Sequence, residues 1–388
     1  MLKCASVYTS EVDNPEIAAG EIKKQIDKKI SLLENSAGVV MCNPEFISTG
    51  VLKAVCENLP FAVAGVTTSS QAVNDEAAEL LLTVFVMTSD DIMFISGVTE
   101  NVADDVDVSV KAAYERVSAG KNEAPKLAFL FPPFPSFGLL AGDMYIRAWG
   151  KLIPGTPLFG TFAADDTALF SDCETIYNGT NYKAEMPFVL CYGNINPRFM
   201  ITTLSERNAV SSQAEVTKAS GNCVYEINYD TAFKYFEKLG FAESVVFTPF
   251  LIDFLKREDY DGVPVIRGHA CFTEDGAAIF YGDVDEGSTF TMLRCDPDDI
   301  LAATRQKLQM INGLPDVNGA LLFPCGVRRT TLLSINKPLM EIQSAKEIIK
   351  PEIPFMMGYA GGEICPTSVR NGIPTNRFHN HSLVILVI

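Results

Sequence analysis

LAFLFP at residues 127–132, AGDMYIRAWGKL at 141–152 and TPLFGTFAADD at 156–166 together decide how this chain is read. An apolar run closes on proline, a helix-period segment follows, and a second apolar run closes on glycine. Strand, turn, helix and strand in that order describe a parallel β-α-β unit. The grammar occurs twice more. AGVVMC (37–42), VLKAVCEN (51–58) and LPFAVAGVTTSS (59–70) make one copy; ALLFP (320–324), AKEIIK (345–350) and IPFMMGYAGGE (353–363) make another. The closing glycines are Gly65, Gly160 and Gly358, and five residues beyond each stands Ser70, Asp165 or Glu363.

Flanking segments extend the last two copies. LLLTVFVM and DIMFISGV (80–98) read as a hairpin turning at TSDD, followed by the helix DVDVSVKAAYERVSAG (105–120). AAIFYGDV and TFTMLRC (277–295), turning near DEG, precede DPDDILAATRQKLQMI (296–311) in the same order. Each helix opens on Asp, whose carboxylate caps free backbone N–H groups. The polar stretch SERNAVSSQAEVTKASG (205–221) separates the halves. The expected fold is α+β, with two similar halves of mixed β-sheets flanked by helices and domains at residues 1–205 and 206–388. The closing HSLVILVI (381–388) reads as a strand covered on both faces.

Composition excludes several functions. Of 388 residues 47% are hydrophobic, enough for a large core, and 31 basic against 48 acidic side chains give a net charge of −17. Such a field repels nucleic acid and anionic membrane surfaces, so neither is expected as a partner. No apolar run approaches the roughly 18 residues that span a bilayer, and MLKCASVYTSEVDNPEIAAG (1–20) lacks the pattern of a secretory leader. The expected location is the cytoplasm. Ten cysteines without a CxxC pair are then expected reduced, with neither structural zinc nor a redox dithiol.

Chemistry-bearing residues are few. No phosphate loop or nucleophile elbow occurs, and three histidines leave few bases for a catalytic dyad, so the chain reads as a non-enzyme. Cys325 at a strand end reads as a half-buried thiol. His379 and His381, two apart on a strand, would face one side and could meet at a metal or haem edge; the alternative is that His379 makes one structural hydrogen bond. Arg328 and Arg329 after a strand end offer forked donors to an anion. Asp165, Asp166 and Glu363 stand at comparable ends, where glycines admit close approach to the backbone. An anion clamp and a cation clamp together suit a zwitterion.

At these residues the chain resembles the FIST family. GYAGGEI (358–364) with FHNHSLVIL (378–386) resembles the closing motif of FIST domains, through Gly358, Gly362, Glu363, His379, Asn380 and Ser382. PLFGTFAADD (157–166) resembles a segment of the N-terminal domain, through Gly160, Ala163, Asp165 and Asp166. CGVRR (325–329) resembles one of the C-terminal domain, and AGVTTSS (64–70) contributes Gly65, Thr67 and Thr68. Thr161 and Ala164 replace expected glycines, and Ser69-Ser70 replaces Ala-Gly. The resemblance implies a FIST N-terminal domain over 1–205 and a FIST C-terminal domain over 206–388. It also implies a small-ligand-binding sensory protein of intracellular signal transduction that takes an amino acid or related polar metabolite. Output would pass to a downstream signalling protein. No cofactor is expected, the alternative being a haem- or metal-based sensor built on His379 or His381.

Overall fold

The computed structural model describes residues 1–121, 123–134, 141–167, 170–241 and 249–388. The chain is α+β, with several mixed sheets and helices packed on them.

The first stretch of chain runs β1 (Lys3–Thr9), α1 (Pro15–Lys29), β2 (Asn35–Cys42), α2 (Glu45–Ser48) and α3 (Val51–Glu57). It continues through β3 (Ala62–Thr67), β4 (Gln71–Val73), β5 (Ala77–Ala78) and β6 (Leu82–Ser89). The second repeats this order: β7 (Ile92–Val98), α4 (Val106–Ser118), β8 (Leu127–Leu130), α5 (Gly142–Leu152), β9 (Leu158–Thr161), β10 (Thr175–Tyr177), β11 (Thr180–Tyr182) and β12 (Pro187–Gly193).

The third stretch begins with β13 (Arg198–Thr202) and is then interrupted. The inserted chain forms β14 (Ala214–Ser220), β15 (Cys223–Ile227), β16 (Asp230–Thr231), α6 (Ala232–Lys238) and β17 (Pro249–Asp253). It ends with β18 (Val265–Phe272), β19 (Ala278–Phe280) and β20 (Thr289–Met292). The repeat then resumes with α7 (Pro297–Ile311), β21 (Ala320–Pro324), α8 (Gly326–Leu333) and α9 (Met340–Ile348). It closes through β22 (Phe355–Gly358), β23 (Glu363–Arg370), β24 (Ile373–His379) and β25 (Leu383–Val387).

Sheet order shows what the repeat builds. The three six-stranded sheets run β1-β6-β2-β3-β10-β11, β7-β12-β8-β9-β23-β24 and β13-β25-β21-β22-β4-β5. At the centre of each lies one parallel pair: β2 with β3, β8 with β9, and β21 with β22. The outer two-stranded segment of every sheet comes from another repeat, in a closed cycle. The first repeat gives β4-β5 to the third sheet, the second gives β10-β11 to the first, and the third gives β23-β24 to the second. The inner faces share one core, in which Met41, Phe129, Phe159, Phe323 and Leu386 pack together. Phe159 and Phe323 stack there with centroids 5.1 Å apart.

The three-copy grammar of the sequence is thus the architecture, and the pairwise likeness of two halves is part of it. The order helix, strand, helix, strand is common to 105–161 and 296–358. The segments before those helices differ. β6 pairs with β1 and β2 while β7 pairs with β12, so TSDD joins two sheets and makes no hairpin. β19 and β20 likewise are not neighbours, since both belong to the seven-stranded insertion, ordered β14-β20-β17-β18-β19-β15-β16 and closed into a small barrel by β14 pairing with β15. An apolar strand accepts any apolar partner, and which one it finds depends on contacts far along the chain. The expected boundary after residue 205 falls between β13 and β14, where the insertion begins.

Local signals behave as elementary chemistry dictates. Asn14, Asp105 and Asp296 cap α1, α4 and α7 with side-chain oxygens that accept from first-turn N–H groups. Gly65 and Gly160 are demanded by the parallel pairs. A Cβ there would lie 1.7 Å from the Val40 carbonyl oxygen and 1.8 Å from that of Leu130.

Candidate functional site

The three segments that follow the closing strands meet at one place. Ala164 N–H donates to the Thr67 carbonyl (2.9 Å), Tyr359 N–H to that of Ser70 (3.2 Å), and Phe162 and Gly362 join the second segment to the third (3.0 Å). Chain ends of parallel strands carry unpaired backbone groups and point their loops at a common crevice, the usual seat of ligands in open α/β sheets. Here the insertion covers that crevice on the side of the third repeat.

A pocket remains between them. Its walls are Phe134 beyond β8, Phe170 beyond β9, Cys325, Gly326 and Val327 at the β21–α8 junction, and Ala360 and Gly361 beyond β22. Asn380 and His381 beyond β24 and Gly268 and Tyr281 of the barrel complete it. The rings of Phe134 and Phe170 stack at 5.0 Å and 24°, and Tyr281 sits 5.9 Å from Phe134. The space left is about 10 Å³, room for about one water. No Lys, Arg, Asp or Glu is among the described lining residues. Asn380 Oδ1 accepts the Gly268 N–H at 3.0 Å, tying barrel to body at the rim.

Against this pocket lie buried polar groups. Cys325 stands at the N-cap position of α8 with its thiol beside the Glu363 carboxyl, and burial with that neighbour pushes the thiol well above its ordinary range. Glu363 is fully buried and accepts from the Ser382 hydroxyl at 2.6 Å and its N–H at 3.3 Å. Burial pushes its carboxyl up to about 8, so it is protonated at neutral pH. Acid and thiol are thus both neutral.

The residues singled out from sequence are spread around this site; Cys325, Asn380 and His381 line the pocket, and the others do not. Arg328 and Arg329 point apart. Arg328 is buried, and its guanidinium is spent on Glu341 (2.6 and 3.0 Å), Thr304 (2.8 Å) and the His381 carbonyl (3.3 Å). Arg329 donates to Ser70 at 3.0 Å and to Glu79 at 3.3 Å. Adjacent helical positions diverge by about 100° around the axis, so one faces the core and the other the first repeat. Asp165 is buried and closes its own turn, accepting from the N–H and hydroxyl of Thr167 at 2.7 Å, while Asp166 is exposed. Thr67 is buried against the Glu174 backbone, and Thr68 accepts from Gln71. Gly160, Gly358 and Gly362 permit close packing: a Cβ at Gly358 would lie 2.7 Å from Met41 Sδ, and one at Gly362 2.7 Å from the Phe378 ring.

The two histidines do not share a side. His379 is buried at the end of β24, its Nε2 3.0 Å from the Cys365 carbonyl, and burial lowers its pKa to about 4. His381 adopts φ 56°, which breaks the strand alternation and turns its ring toward Cys295 (3.6 Å) and the pocket. Among the described residues, no group of three or more His, Cys, Asp or Glu side chains is arranged to hold a metal ion. No helix among them is long and apolar enough to cross a membrane.

Sequence reasoning did not single out Phe134, Phe170, Tyr281, Gly268 and Val327. Val327 lies in the first turn of α8, and the others come from loops and from the barrel, where no periodicity marks a functional face. A weak signal was present in Phe134 after Pro132-Pro133 and in Phe170 after Asp165-Asp166.

Comparison with known proteins gives a consistent picture. Residues 36–230 match the FIST N domain and residues 232–366 the FIST C domain. The junction between them falls inside the barrel, at β16. No curated protein matches the chain. A solved structure described under the words "Cyanuric acid hydrolase: evolutionary innovation by structural concatenation" aligns over 100% of this chain and 98% of its own, at 7% identity. Its TM-score of 0.35 is too low to carry an argument.

Proposed function

We propose, from the premise that this chain belongs to the FIST family, that the pocket between its three-repeat body and its barrel is the seat of a small signalling ligand. FIST domains are generally sensory, ligand-binding domains of signalling proteins. The observation that carries the assignment is convergence. Strand-end loops of two repeats, the β24–β25 turn and the inserted barrel all contribute to one pocket.

The chemistry of that pocket favours an uncharged ligand over the amino acid expected from the charged residues. A zwitterion needs a partner for each charge, and an ion buried without one costs several kcal/mol. Arg328 is already paired with Glu341, and Glu363 is neutral at physiological pH. The function is binding rather than catalysis, because the Cys325 thiol is held protonated with a neutral acid beside it. Output runs through the barrel: Gly268 and Tyr281 belong to it, so a molecule entering the pocket presses on the barrel's seat. A downstream signalling protein reads that change.

A thermal-shift screen of uncharged metabolites tests the reading, with wild type beside Val327→Trp. Val327 is half-buried on the pocket wall, so the larger ring fills the pocket without entering the main core. A ligand at about a hundred times its Kd stabilises the wild type by about 2.7 kcal/mol, and the variant should show no shift. A ligand that shifts both proteins equally would place the seat elsewhere.

A further inference from the structure

On the reading that this pocket is the ligand seat, we infer that its ligand is a flat, uncharged aromatic molecule that takes the place now held by the Phe170 ring. Phe170 has φ 52°, a left-handed backbone conformation that a bulky residue rarely adopts. Its side chain is only half-buried, yet its ring lies nearly parallel on Phe134 and over Gly326. A Cβ on Gly326 would stand 3.3 Å from that ring. The place it fills is a slot, with an aromatic face on one side and side-chain-free backbone on the other.

The slot defines what can replace the ring. A planar π-system recovers the offset stacking on Phe134 that a puckered aliphatic of equal volume loses. The rim adds a polar edge through Asn380 and His381, so a heterocycle or a ring with one hydrogen-bonding substituent fits better than a bare hydrocarbon. Formal charge is disfavoured because no ionised side chain is among the described walls. With about 10 Å³ open, entry requires the Phe170 ring to leave. The ligand-free protein is therefore self-occupied, and affinity is reduced by the fraction of time the ring is home.

The test is calorimetric titration of the full chain with indole, tryptophan and cyclohexanol. Wild type, Phe170→Ala and Val327→Trp are compared, with circular dichroism confirming that each is folded. Indole should bind wild type at least about tenfold more tightly than tryptophan, which adds a zwitterion to the same ring, or cyclohexanol. Phe170→Ala should bind indole more tightly than wild type does, since no ring has to be displaced. Absence of indole binding to wild type, or weaker binding by Phe170→Ala, would overturn the inference. Tryptophan bound as tightly as indole, and lost in Val327→Trp, would overturn the aromatic, uncharged class while leaving the pocket as the seat. Binding indifferent to Val327→Trp would overturn both readings.

Discussion

Replacing Glu363 by glutamine should remove a pH dependence that this buried acid imposes on the whole fold. Burial raises its carboxyl from 4.5 to about 8. In that interval the native protein holds a proton that the unfolded chain has released. The native state thus binds more protons, and stability falls as pH rises. Each pH step costs about 1.4 kcal/mol for one group, so at about pH 7 Glu363 has withdrawn about 3 kcal/mol relative to its effect in acid. Below 4.5 both states are protonated and the cost vanishes; above about 8 it is constant. Glutamine keeps an oxygen to accept from Ser382 and an N–H₂ to face Cys325, without a proton to lose. The assay is urea unfolding followed by the fluorescence of Trp149, the single tryptophan, whose side chain is fully buried. From about pH 5 to about pH 8 the difference in unfolding free energy should move by about 4 kcal/mol in the variant's favour. Parallel profiles for the two proteins would refute the reasoning.

His379 carries the opposite sign. Burial lowers it from 6.5 to about 4, so its contribution is intact above 6.5 and lost as pH falls toward 4; His379→Gln should flatten the acid limb of the same unfolding series, and an unchanged limb would count against it. Arg328→Ala strands the Glu341 carboxylate, paired at 2.6 Å with both side chains essentially unexposed, and should cost about 3–5 kcal/mol of stability in urea melts. Wild-type stability in that variant would show the pair to be dispensable. All ten cysteines are free, and six of them are buried. Thiol titration should count ten after denaturation, with the buried six slow in the native protein; a lower denatured count would reveal a covalent link.

Much of the architecture was legible along the chain because its determinants are local. The β-α-β grammar, the Asp caps and the glycines at strand ends all depend on residues a few positions apart, and each appears where sequence places it. The FIST resemblance rests on the same short segments, and the matched domains cover all of them except FHNHSLVIL at 378–386. What sequence could not show was which strand pairs with which. LLLTVFVM is equally apolar whether it turns back on DIMFISGV or inserts between β1 and β2, and only the shared core selects the second. The cyclic exchange of outer strands and the closure of the barrel follow from that selection.

The site divides in the same way. Sequence alone determined that glycines, an acid, a thiol and two arginines cluster at strand ends, because their order along the chain is fixed. Tertiary structure alone decided what they face. Arg328 found Glu341 thirteen residues on, Asp165 closed its own turn, and Glu363 was sealed under Cys325. A charged side chain is driven to the nearest partner that offsets its desolvation, and that partner is set by packing. The pocket was left to aromatic rings from loops and an inserted barrel, whose meeting no local pattern encodes.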